Sequence, residues 1–266
     1  MTITPGARIG SGRTADVHAV DGERVVKVLR HGFPDALGEA EARAARLVSR
    51  TGIAAPRLLG TTRIDGRFSL IYERREGASM LDVLVERPWA YRRFAAEFAG
   101  IHAATHLEHA SALPSLRSRI ESAIQRTDVP QRIRDAALRR LGTLPDGDAL
   151  LHGDMHPGNI LLTAEGPTII DWEAAAAGPP AAGVAHTLFL LHGSELPPGV
   201  SAIRRHAITL LRGAFSRAYL RAYRRVRPLD ADEVRAWRLP ILVARLDDGI
   251  AAERRPLHRL IQQDLR

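Results

Sequence analysis

Residues 150–162 place a polar loop between two short apolar runs, and this loop holds an unusual combination of side chains. It contains Asp154 and, five positions later, Asn159, which is the only asparagine in the 266-residue chain. A second apolar run, residues 168–170, ends at another acid, Asp171. Carboxylate and amide oxygens are ligands that suit Mg²⁺ held together with phosphate oxygens. If Asn159 and Asp171 bind the metal, Asp154 is free to orient a hydroxyl group and to accept its proton late in a phosphoryl transfer.

Lys27 is the second position that stands out, because it is the only lysine among 38 lysine and arginine residues. An ammonium group reaches a phosphate as a compact charge, whereas a guanidinium is broad and planar, so contact with nucleotide phosphates would explain why this lysine is kept. Helical spacing from Pro34 to Arg50 puts Glu41 on the inward face, where it needs a cation such as Lys27. A glutamate at the edge of an ordinary surface helix is equally compatible with the pattern.

A glycine-containing turn precedes Lys27 in the chain. Gly10, Ser11 and Gly12 lie between two predicted strands, and neither glycine has a Cβ that would keep a ligand away from the backbone. Glycine pairs in hairpins usually form only turns. The pattern indicates a ligand-binding loop only because Lys27 lies on the following strand.

A metal-dependent hydrolase is an alternative interpretation of the same loop. His152, Asp154 and His156 have a spacing that can bind zinc. Gly153, Pro157 and Gly158 prevent a helix in which the two histidines would lie one turn apart on the same face. A zinc site is therefore less favoured than phosphoryl transfer. Nucleophilic hydrolysis is weaker still, because the chain has neither a cysteine nor a Gly-x-Ser-x-Gly motif.

Composition limits the class of protein. An apolar fraction of 45% predicts a folded globular chain, and the absence of cysteine fits a reducing cytosol. The N-terminus has no signal-peptide pattern and no apolar run approaches the length of a membrane span, so we expect a cytoplasmic protein without a membrane partner. The net charge of +8 includes eight arginines within 201–227, where there is no acid. A solvated helix face explains this segment better than nucleic-acid binding.

Hydrophobic periodicity places these residues on elements. Strands are expected across 8–29 and in a hairpin turning at Asp65-Gly66, with the helix 34–50 between them. From residue 78 onwards helices dominate, and His102 is expected to be a hydrogen-bonded core histidine. The expected helices cover 79–87, a longer segment from Pro88, 114–127, 130–142, 182–192, 201–227 and 231–263, the last kinked or divided at Pro240. Short strands at 149–151, 160–162 and 168–170 hold the polar loop.

Together these motifs resemble the aminoglycoside phosphotransferase and choline kinase-like family. The most specific parts are His-Gly-Asp-Met-His-Pro-Gly-Asn at 152–159 and Ile-Asp-Trp at 170–172, and the likeness runs from about residue 6 to 190. The resemblance implies a protein-kinase-like fold in which Asp154 is the catalytic base and Asn159 and Asp171 hold Mg²⁺. It also implies that Lys27 pairs with Glu41. The glycine loop would cover the nucleotide, and the backbone from Glu73 to Arg75 would meet the adenine.

Two departures from the family pattern concern glycine and acid positions. Ala15 stands where protein kinases have a third glycine, which many small-molecule kinases also lack. Pro179 and Gly183 stand where the family usually has acids after the Ile-Asp-Trp motif. The second of these acids usually braces the catalytic loop from below, so its absence raises the question of what supports the loop here.

We therefore expect an α+β, bilobal protein-kinase-like chain with an antiparallel N-terminal sheet and one helix, followed by a mainly helical lobe. Residues 1–77 would bind nucleotide, and residues 78–266 would carry catalysis and acceptor binding. The expected reaction moves the γ-phosphoryl group of ATP or GTP to a hydroxyl of a small molecule that is antibiotic-like (an aminoglycoside or similar) or sugar-containing, in a monomer or weak dimer. A nucleotide-binding pseudokinase with a regulatory role is the alternative. Candidate contacts for acceptor amines are the acids Asp230, Asp232, Glu233, Asp247 and Asp248.

Overall fold

A computed structural model describes residues 3–193 and 202–265. In chain order the elements are β1 Arg8–Ser11, β2 Ala15–Ala19, β3 Arg24–Leu29, α1 Asp35–Val48, β4 Leu58–Ile64, β5 Arg67–Glu73, β6 Ala78–Ser79, α2 Met80–Glu86, α3 Tyr91–Thr105, α4 Leu116–Arg126, α5 Gln131–Gly142, β7 Ala149–Leu151, β8 Ile160–Thr163, β9 Gly166–Ile169, β10 Ala176–Gly178, α6 Pro180–Gly193, α7 Ala202–Val226, α8 Ala231–Arg245 and α9 Ala251–Asp264. An antiparallel sheet with one helix is followed by a mainly helical remainder, so the predicted α+β class is confirmed.

The chain forms two compact units, one from Met1–Val83 with Pro157–Ala175 and the other from Leu84–His156 with Ala176–Arg266. The first unit contains a five-stranded antiparallel sheet in the order β1-β2-β3-β5-β4 and a second sheet in the order β6-β8-β9. Residues 157–175 therefore pack with the sheet unit, although they lie far from it in sequence. The functional division after residue 77 remains a prediction.

Helix α1 lies against the five-stranded sheet because one of its residues is small. A Cβ added to Gly38 would lie 2.4 Å from Phe68 Cδ1 on β5, which is closer than two carbon atoms can approach. Behind this contact, β3 buries Val26, Val28 and Leu29. The predicted turn between β4 and β5 is confirmed, since Asp65 and Gly66 both have positive φ, as a tight hairpin requires.

The second unit is built around the packing of α3 against α7. Phe98, His102 and His106 follow one another at four-residue intervals on or directly after α3, and they meet Phe215, Tyr219 and Tyr223 with the same spacing on α7. The Nδ1 atom of His102 is 2.8 Å from the hydroxyl of Tyr219, and the histidine is 1% exposed, so the prediction of a hydrogen-bonded core histidine is confirmed.

The last predicted helix is divided, but not at Pro240. That proline lies inside α8, and the division falls after Arg245, in a short 3₁₀ turn at Leu246–Asp248. Gly249 ends this turn with φ of 65°, a left-handed conformation that glycine adopts without steric cost. Among the described residues, no helix is both long and apolar enough to cross a membrane.

Candidate active site

Lys27 lies on β3, which is flanked by β2 and β5, and its ammonium group contacts two carboxylates. Nζ is 2.8 Å from Glu41 Oε2 and 2.8 Å from Asp171 Oδ1. A third carboxylate, that of Glu173, lies 4.0 Å away. Lys27 is 8% exposed, so these acids rather than water neutralise most of its charge. Burial opposes the charged form, but the charges of Glu41 and Asp171 raise the pKa of Lys27, which keeps it protonated.

Glu41 is fixed from both sides. Its position on α1 makes it 2% exposed, which excludes a place at the edge of a surface helix. One carboxylate oxygen accepts from Lys27, and the other accepts from the hydroxyl of Tyr72 at 3.0 Å. We did not single out Tyr72 from the sequence. It stands two positions along β5 from Leu70, the residue opposite Lys27 in the sheet, so the strand register was the available signal.

The two predicted metal ligands are brought near each other by the pairing of β8 with β9. Ile160 pairs with Ile169, and the N–H of Ile170 donates to the carbonyl of Asn159 at 3.0 Å. Asn159 ends a 3₁₀ turn at Pro157–Asn159 and is 8% exposed. Asp171 has φ of 66° and ψ of 67°, which is uncommon and costly for a residue other than glycine. Its side chain is 41% exposed, so it remains accessible to a cation.

Two further residues near Lys27 were not predicted. The hydroxyl of Thr14, just before β2, donates to Glu173 Oε2 at 2.6 Å. Glu173 directly follows the Ile-Asp-Trp motif, but the sequence assigned it no role. Within the described residues, Glu41, Asp171 and Glu173 form the one group of three potential metal-binding side chains whose ligand atoms lie within 4.8 Å of one another.

The glycine turn is held by hydrogen bonds to residues at the start of β2. The N–H of Gly12 donates to the carbonyl of Ala15 at 2.9 Å, and the hydroxyl of Ser11 donates to Asp16 at 2.8 Å. A Cβ added at Gly10 would come no closer than 3.4 Å to any atom, and the same holds at Gly12. The protein's own packing therefore does not require glycine at either position.

The segment predicted to meet the adenine starts at the end of β5. The side chains of Glu73 and Arg75 pair with each other at 2.9 Å. The N–H of Glu73 donates to Arg57, and that of Arg74 donates to Glu23. These contacts hold the chain in place where it leaves the sheet.

Asp154 lies in the second unit, in the loop that follows β7. Its N–H donates to Nδ1 of His152, a fully buried residue, at 3.2 Å. His156 Nε2 lies 3.6 Å from Asp154 Oδ2. Behind the loop, the hydroxyl of Thr187 on α6 donates to the carbonyl of Met155 at 3.0 Å. Among the described residues, His152, Asp154 and His156 do not bring three potential ligand atoms within 4.8 Å of one another, so a zinc site formed by these side chains is not supported.

The histidines around Asp154 favour its ionised form. Burial alone would raise the pKa of this carboxyl group, but His156, with smaller contributions from His152 and His186, holds it well below its usual range. His186, on α6, was not predicted, since nothing in the sequence indicates that α6 lies beside the loop. Burial lowers the pKa of His186 to about 4, against the attraction of Asp154, so its imidazole is neutral at physiological pH.

Four of the five acids suggested as amine contacts have partners within the protein. Asp230 accepts from the N–H of Asp232 and caps α8, and Asp232 also pairs with Arg235. Asp247 pairs with Arg126, and Asp248 pairs with Arg245 at 2.8 Å.

Comparisons with known proteins show the family and the fold of the chain. A family model described as the phosphotransferase enzyme family matches residues 5–229. No curated protein sequence matches the chain significantly. The solved structures that are similar include an aminoglycoside-3'-phosphotransferase of type VIII, with 21% identity over 90% of this chain and 91% of that one, and a TM-score of 0.60.

Two other similar structures contain bound nucleotide analogues. Amicoumacin kinase hAmiN, in complex with AMP-PNP, Ca²⁺ and Ami, is 15% identical over 97% of this chain and 87% of that one, with a TM-score of 0.61. A thermostable mutant of APH(4)-Ia, in a ternary complex with AMP-PNP and hygromycin B, is 16% identical over 97% and 90%, with a TM-score of 0.63. The predicted kinase-like fold is confirmed, and the chain belongs to the phosphotransferase enzyme family as a small-molecule kinase.

Proposed function

We propose that this protein transfers the γ-phosphoryl group of ATP or GTP to a hydroxyl group of a small, antibiotic-like or sugar-containing molecule. The observation that carries the proposal is the buried ammonium of Lys27, held between Glu41 and Asp171 at 2.8 Å from each. A charged lysine fixed in this way can contact the phosphates of a nucleotide without changing its rotamer.

Asp154 is the group that receives the proton. An alcohol is too weak an acid to be ionised by a carboxylate in advance, so the proton moves to Asp154 as the hydroxyl oxygen bonds to phosphorus. The depressed pKa of Asp154 keeps this carboxylate ionised and able to orient the hydroxyl. Thr187 supports the loop through the neighbouring carbonyl of Met155.

The residues present fit a divalent cation such as Mg²⁺. Asn159 offers an amide oxygen and Asp171 a half-exposed carboxylate at the ends of paired strands, and both are hard oxygen donors. Bound there with the nucleotide, the cation would neutralise charge on the phosphate oxygens. The carboxylate of Asp171 accepts a hydrogen bond from Lys27. Its side chain is half-exposed, so it could coordinate the cation at the same time. The complex of amicoumacin kinase with AMP-PNP and Ca²⁺ supports the binding of a nucleotide together with a divalent cation.

Two acids of the second unit that were suggested as amine contacts already form ion pairs within the protein. Asp247 and Asp248 are neutralised by Arg126 and Arg245. Each pair includes an exposed side chain, so a cationic acceptor could replace one of the arginines at little cost, and amine-rich as well as amine-poor acceptors belong in the screen. The ligands named in the similar structures, hygromycin B and Ami, place antibiotics in the first panel to test.

A screen of hydroxylated compounds tests the proposal. The chain is incubated with Mg²⁺, ATP or GTP, and a panel that pairs amine-rich with amine-poor antibiotics and sugars, and diphosphate release and acceptor mass are recorded. The proposal expects an acceptor that gains one phosphoryl group, with release slowed by about 10²- to 10⁴-fold in Asp154→Asn but not in the exposed control Asp128→Asn. Nucleotide binding without transfer to any acceptor would instead favour the regulatory pseudokinase.

A further inference from the structure

Gly183 on α6 faces His106 and Leu151, the last residue of β7. A Cβ added there would lie 2.7 Å from Nε2 of His106, 3.1 Å from Cε1 of the same ring and 3.1 Å from Cδ2 of Leu151. Real Cβ atoms essentially never come within 3.0 Å of such neighbours. The glycine thus leaves a space that the imidazole of His106 fills.

The His106 ring cannot easily move away, because its other side is fixed. Its Nδ1 is 2.6 Å from the hydroxyl of Tyr223 on α7, and its centroid is 4.3 Å from that of His102. His106 is 2% exposed and Tyr223 is fully buried. Nε2, the atom that faces Gly183, is buried and has no hydrogen-bond partner among the described residues, which is a cost that packing must offset.

The place where Gly183 faces His106 and Leu151 lies next to the loop that holds Asp154. Leu151 ends β7 and is followed directly by His152, whose Nδ1 accepts from the N–H of Asp154. One turn beyond Gly183 on α6, Thr187 donates to the carbonyl of Met155. The loop is therefore held at its start through Leu151 and at Met155 through Thr187. Both contacts come from α6, one beside Gly183 and the other one turn further along the helix.

We propose that His106, held by Tyr223, is a positioning residue for Asp154, and that it supports the loop from the place beside Gly183 where an acidic side chain was expected. This inference rests on the proposed phosphoryl transfer. His106 touches no reacting group and acts through Leu151 and α6.

Kinetics of single and double variants test this role. His106→Ala removes the ring, and Gly183→Ala introduces the Cβ that the ring excludes. We expect each single variant to lower kcat roughly 10- to 100-fold, since a displacement of about 1 Å at a reacting group has this effect, with the KM for nucleotide little changed. In the double variant the added methyl occupies part of the vacated space, so Gly183→Ala should raise kcat in the His106→Ala background while lowering it in the wild type.

Two further variants separate positioning from general stability. Tyr223→Phe removes only the hydroxyl that holds His106, whereas Thr127→Val removes a buried hydroxyl that donates to Ile124 at the end of α4. Both should lower the unfolding temperature, but only Tyr223→Phe should lower kcat. Equal effects of the two variants on kcat, or additive effects of His106→Ala and Gly183→Ala, would overturn the proposal.

Hydrogen exchange provides a readout that needs no acceptor. Amides of residues 150–156 should exchange faster in Tyr223→Phe and His106→Ala than in the wild type, while those of α5 should not change. If no acceptor is phosphorylated but this difference is seen, the proposed function fails and the positioning role stands. Unchanged exchange at 150–156 in both variants would contradict the positioning role, whatever the enzyme does.

Discussion

Lys27 Nζ donates to Asp171 Oδ1 at 2.8 Å, joining two side chains that are 144 positions apart in the sequence. The same ammonium also bonds to Glu41. In the proposed reaction, the carboxylate of Asp171 serves both this lysine and a cation. Its left-handed backbone and half-exposed side chain are compatible with that double role.

Lys27→Arg should impair the reaction although it keeps the positive charge. A guanidinium is broader than an ammonium group and cannot bond to Glu41 and Asp171 in the same buried space. We expect kcat/KM for nucleotide to fall by about tenfold or more, and the unfolding temperature to fall as well, because the buried carboxylate of Glu41 loses part of its ion pair. Steady-state kinetics with varied nucleotide measure this change. Kinetics equal to the wild type would refute the explanation for the single lysine.

Glu41→Gln should weaken nucleotide use more than Tyr72→Phe does. The first change removes the buried carboxylate that holds Lys27, and the second removes only the hydroxyl that holds the carboxylate. We expect a loss of roughly tenfold in kcat/KM for Glu41→Gln and a few-fold loss for Tyr72→Phe. Titration of each variant with a nucleotide analogue separates binding from turnover. A larger loss for Tyr72→Phe than for Glu41→Gln would contradict the interpretation that Glu41 holds Lys27 directly and that Tyr72 acts only through Glu41.

The helices, strands and turns around the site could be predicted from the sequence. Which side chains of different elements lie close together could be predicted less well. Spacing on α1 placed Glu41 on the inward face, and the glycine in Asp65-Gly66 marked the hairpin. The positions of Tyr72 and His186 depend on strand register and helix packing, which a single sequence does not display. Pro240 illustrates the same limit, because a proline that suggested a break is accommodated within α8 while the chain turns at Gly249.

Gly38→Ala should destabilise the first unit, in contrast to Gly100→Ala. An added Cβ at Gly38 would lie 2.4 Å from the Phe68 ring, whereas at Gly100 on α3 it would meet nothing within 4 Å. We expect a loss of about 1–3 kcal/mol in the free energy of unfolding for Gly38→Ala, and a gain of roughly 0.5–1 kcal/mol for Gly100→Ala. Denaturant titration measures both values. A stabilised Gly38→Ala variant would show that α1 does not require glycine against β5.

Acid should destabilise the protein because His102 and His106 are buried as neutral rings. Burial lowers the pKa of His106 to about 3, and it lowers that of His102 well below the usual value near 6.5. Below pH 6.5 the unfolded chain binds protons that the folded chain does not, so stability falls as pH decreases from about 6.5 towards about 3. Each ring should contribute a loss of roughly 1–2 kcal/mol between pH 6.5 and 5.

Denaturant unfolding of the wild type and of His106→Asn across this pH range measures the effect. The variant lacks one titrating ring, so its stability should depend less steeply on pH. Parallel pH profiles for the two proteins would show that His106 does not titrate as a buried neutral group.

The central claim, that Asp154 accepts the proton in a phosphoryl transfer, is tested most directly by Asp154→Asn. The amide keeps the size of the side chain but cannot accept the proton. With any acceptor found in the screen, kcat should fall by about 10²- to 10⁴-fold, while the affinity for nucleotide stays within about twofold of the wild type. Phosphorylation of the acceptor by Asp154→Asn at a rate close to that of the wild type would contradict the account.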